Sequence, residues 1–215
     1  MEQPSRGRAR RRDRISRRSW LLAGLVTPLF SVRAAESLEV KYDGDNLHLS
    51  APTLHFLIGK PLERLKDGAS VAYVAQVTLF GDDRVTPIKR RQGRFVVSFA
   101  LWEEKFSVTQ LGTAAVPPRT VEGLSAAAAE AWCLDSMAVS TLGLEPNTYF
   151  WLRFELGTAD QKEMANMTEQ PVVSFRKIVE FFSQKPKAGE PRWEPIERRL
   201  RLSGLPRMAG RGRNG

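Results

Sequence analysis

The chain predicts an α+β, β-rich fold. The expected form is an antiparallel, β-sandwich-like sheet of seven to eight strands, with one long helix packed on it and a second short helix. Three observations predict it. Residues 38–50, 71–109 and 148–157 alternate side-chain character with the period of two that strands require. The connections within 71–109 are only a few residues long, which antiparallel neighbours alone permit. Residues 120–142 instead repeat Leu124, Ala128, Ala131, Leu134, Ala138 and Leu142 in steps of three and four, the stripe of a helix lying on a sheet.

The chain divides into three parts: residues 1–34, a single β-rich domain over 35–203, and a basic tail over 204–215. Residues 1–18 are dense in arginine, and residues 19–32 are almost wholly apolar or small. Val32-Arg33-Ala34 places small or modest side chains where a signal peptidase reads, so cleavage is expected between Ala34 and Ala35. An apolar helix of that length reaches about 21 Å, short of the roughly 30 Å of hydrocarbon that a spanning helix crosses. Ser16-Arg17-Arg18-Ser19-Trp20-Leu21 resembles the twin-arginine family of bacterial export signals. That pattern is Ser or Thr, Arg, Arg, any residue, Phe, Leu and often Lys. Trp20 stands where the family has Phe, and Leu22 where it often has Lys. The resemblance implies export of an already folded domain across the bacterial cytoplasmic membrane, with Ser16, Arg17, Arg18, Trp20 and Leu21 read by the export machinery.

Charge follows the same division. The formal net charge is +9, but residues 1–34 carry +7, residues 198–215 carry +6, and residues 35–197 carry −4. The body is mildly acidic, so no nucleic-acid partner is expected. The single cysteine, Cys133, makes no internal disulfide, and with two histidines it leaves no ligand set for zinc, haem or iron–sulfur; no cofactor is expected.

Leu38–Asp43 and Leu47–Ser50 alternate on either side of Gly44-Asp45-Asn46, which predicts a hairpin with Leu47 and Leu49 inward and His48 outward and solvated. Pro61 and Gly68 bracket a short helix at 61–67. Val71–Phe80 is apolar on both faces, as a central strand is. Residues 84–89 form a return strand in which Pro87 predicts an edge or a bulge. A turn at Arg90–Gly93, a strand at 95–102, a turn at Glu103-Glu104 and a strand at 105–109 complete a meander. Thr120 caps the long helix and Gly143 ends it. Tyr149–Leu156 is the sharpest strand, with Phe150, Leu152, Phe154 and Leu156 on one face. Its other face, with Tyr149, Trp151 and Arg153, reads as the second buried face of a sandwich strand or as a platform for a sugar or partner. Residues 160–170 read as a polar loop, 175–183 as a short amphipathic helix, 198–202 as a last strand and 204–215 as disordered. In element order, with Phe175–Phe182 following Tyr149–Leu156, the body resembles an uncharacterised family of bacterial exported domains. That family implies no activity.

Catalytic signatures are missing: there is no P-loop, dinucleotide fingerprint, serine elbow or paired zinc histidines. Asp82/Asp83 and Glu103/Glu104 fall at turns as solvated pairs, and Cys133 reads as a buried structural thiol. The one basic knot of the body, Lys89, Arg90, Arg91 and Arg94, reads as a hairpin tip and a candidate contact for an envelope protein or an anionic lipid surface. The expectation is therefore an exported, non-catalytic binding or scaffold module, periplasmic or envelope-associated. An enzyme whose carboxylates meet only in the fold is the alternative, and a basic nucleic-acid binder the second.

Overall fold

The computed structural model describes residues 38–112, 116–160, 181–184 and 191–208. The export motif and cleavage site, the loop at 161–170, the helix at 175–180 and the tail beyond Met208 lie outside the described residues. Among the described residues, Phe181–Ser183 are helical. No helix among them is long and apolar enough to cross a membrane.

Among the described residues the body is β-rich, with two antiparallel sheets and, besides the helical residues at 181–183, two short α-helices. Strands β1 (Glu39–Tyr42), β2 (Asn46–Ser50) and β7 (Val139–Ser140) form a three-stranded sheet in the order β1-β2-β7. The larger sheet contains β3 (Val71–Phe80), β4 (Pro87–Ala100), β5 (Lys105–Gln110), β6 (Arg119–Leu124), β8 (Phe150–Ala159) and β9 (Ile196–Leu200). Its order is β6-β5-β4-β3-β8-β9. Helix α1 spans Gly59–Lys66 and α2 spans Ala126–Asp135.

The alternating segments fold as their period demands. Leu47, Leu49, Phe150, Leu152, Phe154 and Leu156 are all buried. β3 lies between β4 and β8, so its backbone is paired on both sides, and residues on both of its faces are buried. Its Val71, Tyr73, Ala75, Val77 and Leu79 enter one large core with the inward residues of the small sheet, α2 and β8. On the opposite face Val74 joins Ala159 and Phe181 in a smaller cluster. Residues 205–208, expected within the tail, bond to β1: Tyr42 N donates to Pro206 O at 3.0 Å and Met208 N to Tyr42 O at 2.9 Å.

Two stretches depart from expectation. Residues 84–102 do not form two strands about a turn at 90–93. Asp83 Oδ1 instead accepts from the amides of Val85 and Thr86, Arg84 takes a positive φ of 59°, and one long strand begins at Pro87. The bulge predicted from Pro87 is present, as the β3–β4 register shifts between Leu79 and Phe80. Arg90 to Gly93 pair with Thr78 to Ala75, so these polar residues are strand residues. Gly93 marks a close approach: a Cβ there would lie 2.3 Å from Met137 Sδ and 2.7 Å from the Phe95 ring.

The long helix of 120–142 is three elements. Arg119–Leu124 pairs with β5 as the sheet edge, where the Thr109 and Thr120 hydroxyls meet at 2.9 Å. Gly123 has a φ of +73°, outside any right-handed helix. The cap is Ser125, whose Oγ accepts from Ala128 N at 3.2 Å. α2 ends after ten residues and the chain then pairs with β2. The buried face of α2 is Ala129, Glu130, Cys133 and Leu134, whereas Leu142 of the predicted stripe is 82% exposed. The remaining helix, α1, begins two residues before the sequence signal, with Pro61 inside its first turn where no amide donor is needed.

Candidate functional site

The basic knot is split by the strand it lies on. Side chains alternate across a strand, so β3 pairing puts Lys89 and Arg91 with Leu79 and Val77 on the inner side, and Arg90 and Arg94 with Thr78 and Val74 on the outer side. Arg94 is 8% exposed and donates to Gly112 O at 2.8 Å. Burial pulls the pKa of Arg90 and of Arg94 below the ordinary arginine value. The four cations are a run in sequence and form no single patch.

The outer face of the large sheet is a polar lattice. Gln92 Nε2 donates to Gln76 Oε1 at 3.1 Å, and Gln76 Nε2 donates to Glu155 Oε2 at 2.9 Å. Toward the other end, Glu197 accepts from Arg84 and Arg153, and Asp82 accepts from Arg199. The Arg84 guanidinium lies 3.6 Å from the Trp151 ring centroid, and that of Arg199 lies 4.3 Å from the Tyr149 ring. The Tyr149–Trp151–Arg153 face is therefore not a buried sandwich face. It is half-open, and arginines lie over its rings. At this end the guanidinium groups of Arg84, Arg153 and Arg199 outnumber the carboxylates of Glu197 and Asp82 that hold them.

Two histidines acquire partners that their local sequence does not reveal. His48, expected to be solvated, has Nε2 2.8 Å from Asp43 Oδ2 and Nδ1 3.2 Å from Asp135 Oδ1. It ties the β1–β2 turn to the end of α2. Burial opposes the charged ring most strongly, but the bonds to Asp43 and Asp135 together outweigh it and raise the pKa. Asp43 is held well below the usual carboxylate range, first by His48 and then by the Asn46 amide. With both ring nitrogens facing carboxylates, the ring is a clamp between the β1–β2 turn and α2. Buried Glu130 is the second tie. Its Oε1 accepts from the amides of Phe56 at 2.6 Å and Leu57 at 2.8 Å, and its Oε2 lies 3.1 Å from His55 Nδ1. Cys133 is buried beside it, as expected, and burial pushes its thiol up to about 12. Asp83 is engaged by its own turn, chiefly by the Thr86 hydroxyl, which lowers its pKa. Among the described residues no group of His, Cys, Asp and Glu is arranged to hold a metal ion.

One concavity among the described residues is a cleft of about 470 Å³ between α1, the start of α2 and the β4–β5 hairpin. Its walls are Leu57, Leu62, Phe99, Leu101, Phe106 and Ala126, and its charged liners are Lys66 and Glu104. Each wall has a structural cause. Glu130 holds the Leu57 amide, and Phe99 and Phe106 face each other across β4–β5 with ring centroids 4.8 Å apart. Leu62 and Lys66 stand one helical turn apart on α1. The hairpin turn leaves Leu101 54% exposed and Trp102 fully exposed, and Ile58, next to Leu57, is 56% exposed. The sequence reading placed Leu101 and Trp102 at the end of a strand. Their one available signal was two large apolar side chains directly before a turn.

No family model, curated protein or solved structure matches the chain. Any functional reading rests on the residues themselves. Among the described residues, the cleft is one surface where apolar side chains meet solvent together, and His48, Glu130, Glu197 and Asp82 are engaged within the protein.

Proposed function

We propose that the protein is an exported, non-catalytic module of the bacterial cell envelope that binds another envelope component through the cleft beside Trp102. The carrying observation is the full exposure of Trp102, next to Leu101 at the mouth of an apolar cleft. Large apolar side chains grouped at a surface mark an interaction site. A β-sandwich-like body suits that role. Residues of the small sheet such as Leu47 and Leu49 share one core with Val77, Leu79 and Phe95 of the large sheet, which supports such a packing. Export through the twin-arginine route rests on Ser16, Arg17, Arg18, Trp20 and Leu21, with cleavage between Ala34 and Ala35.

The reading is tested with a photoreactive phenylalanine analogue at position 102 or at position 85, an exposed apolar site on the β3–β4 turn. An adduct in envelope fractions from position 102 alone is expected. Equal labelling from both positions, or none from 102, refutes the reading. Separately, Arg17→Lys with Arg18→Lys should retain the protein in the cytoplasm; unchanged export removes the proposed route.

A further inference from the structure

Resting on the binding-module reading, we propose that the cleft takes one alkyl chain of a zwitterionic membrane lipid, with the headgroup between Lys66 and Glu104. Three observations lead there. First, the walls are six apolar side chains, and about 470 Å³ lies within the range of roughly 300–1,000 Å³ usual for small-molecule sites. Second, the two ionisable liners carry opposite charges, and neither has an ion-pair partner among the described residues. A headgroup bearing both signs matches both. An anionic headgroup would meet repulsion from Glu104, and a cationic one would meet it from Lys66. Third, the cleft offers little open strand edge: β4 pairs with β3 only as far as Val97, so on that side it is unpaired over Ser98–Ala100. β4 and β5 pair with each other at Phe99–Phe106, and β5 is paired again to β6. A peptide strand adds by main-chain hydrogen bonds over a longer run than Ser98–Ala100 leaves open, whereas an alkyl chain needs none.

Trp102, Leu101 and Ile58 then act as the seat on the bilayer. They are exposed beside the cleft, and tryptophan is the residue that favours the headgroup boundary. The outer lattice of Arg84, Glu197 and Arg153 is less suited to a zwitterionic headgroup, because its one carboxylate is already held by both guanidinium groups.

The experiment titrates the full chain with alkylphosphocholines of increasing length, and with alkyl sulfates and alkyltrimethylammonium ions, all below their micelle concentrations. The leader is common to every variant, so differences report the cleft. Phosphocholines should bind best, tightening roughly fourfold per added methylene until the cleft is full. Leu101→Asp and Trp102→Ser alter exposed side chains and should weaken binding without loss of fold. Glu104→Lys should turn the preference toward sulfates, and Lys66→Glu toward ammonium ions, each by up to about fivefold, the range of an exposed ion pair. Absence of chain-length dependence, or headgroup preferences unmoved by both charge reversals, overturns the proposal. If amphiphiles fail to bind while position 102 still cross-links to an envelope protein, the lipid assignment falls and the binding module stands. If neither binds, both fall.

Discussion

Replacing Glu130 tests how the protein holds the floor of its cleft. Its carboxylate is 5% exposed and accepts from two backbone amides whose residues, Phe56 and Leu57, are each 1% exposed. Glu130→Ala leaves both donors buried without that acceptor. Each such group costs about 1–3 kcal/mol, so a loss of about 2–6 kcal/mol is expected. The His55 contact adds little, because that side chain is 55% exposed and the pair is open to solvent. Glu130→Gln keeps an oxygen for the amides and an amide group for His55, and should cost only about 1–2 kcal/mol through lost charge assistance. Urea unfolding of the full chain measures both, with the midpoint moving at constant slope. Amide exchange at Phe56 and Leu57 should quicken in the alanine variant and remain slow in the glutamine one. An alanine variant within about 0.5 kcal/mol of the parent, or a glutamine variant as damaged as the alanine one, would refute the assignment.

Three further outcomes follow from the same contacts. His48 has a folded pKa above its ordinary 6.5, so its clamp on Asp43 and Asp135 is fully present below that value and is lost as pH rises through the folded value. Asp43 adds stability that is present above its ordinary 3.8 and is lost as pH falls below it. The Tm of the parent should therefore fall relative to that of His48→Gln as pH rises above about 6.5, and parallel curves would sink the clamp. Cys133, buried and with its thiol pushed up to about 12, should resist an aromatic disulfide reagent until the protein unfolds; fast native labelling would contradict that burial. Gly93→Ala forces a methyl against Met137 and Phe95 and should cost about 1–3 kcal/mol by thermal unfolding, with a neutral result showing that Met137 yields freely.

Much of the fold was legible because strand alternation is a local signal. The hairpin of β1 and β2, the bulge near Pro87, the central place of β3 and the buried face of β8 all follow from residues within a few positions of one another. The failures share a cause. Residues 119–124 carry no strong strand pattern, and their state is decided by pairing with β5. Arg90 to Gly93 have turn-like composition, yet β3 supplies partners for their backbone and Met137 leaves no room for a side chain at Gly93.

The candidate site was barely legible. Its walls come from residues 57, 62, 99, 101, 106 and 126, and no motif joins them. Lys89, Arg90, Arg91 and Arg94 form the opposite case: adjacent in sequence, they are parted by the pleat of the strand.

By itself the sequence determined a β-rich body with a mildly acidic charge between basic ends, the inward faces of its clearest strands and the burial of its one thiol. These are set by composition and by the two-residue period of a strand, which need no knowledge of neighbours. Tertiary structure alone decided that His48 meets Asp135, that Glu130 holds Phe56 and Leu57, and that Trp102 stands exposed beside an apolar cleft. The His48 and Glu130 contacts join residues more than 70 positions apart, and the cleft gathers its walls from α1, the β4–β5 hairpin and the start of α2. Such contacts form only where packing of the whole core brings distant side chains together.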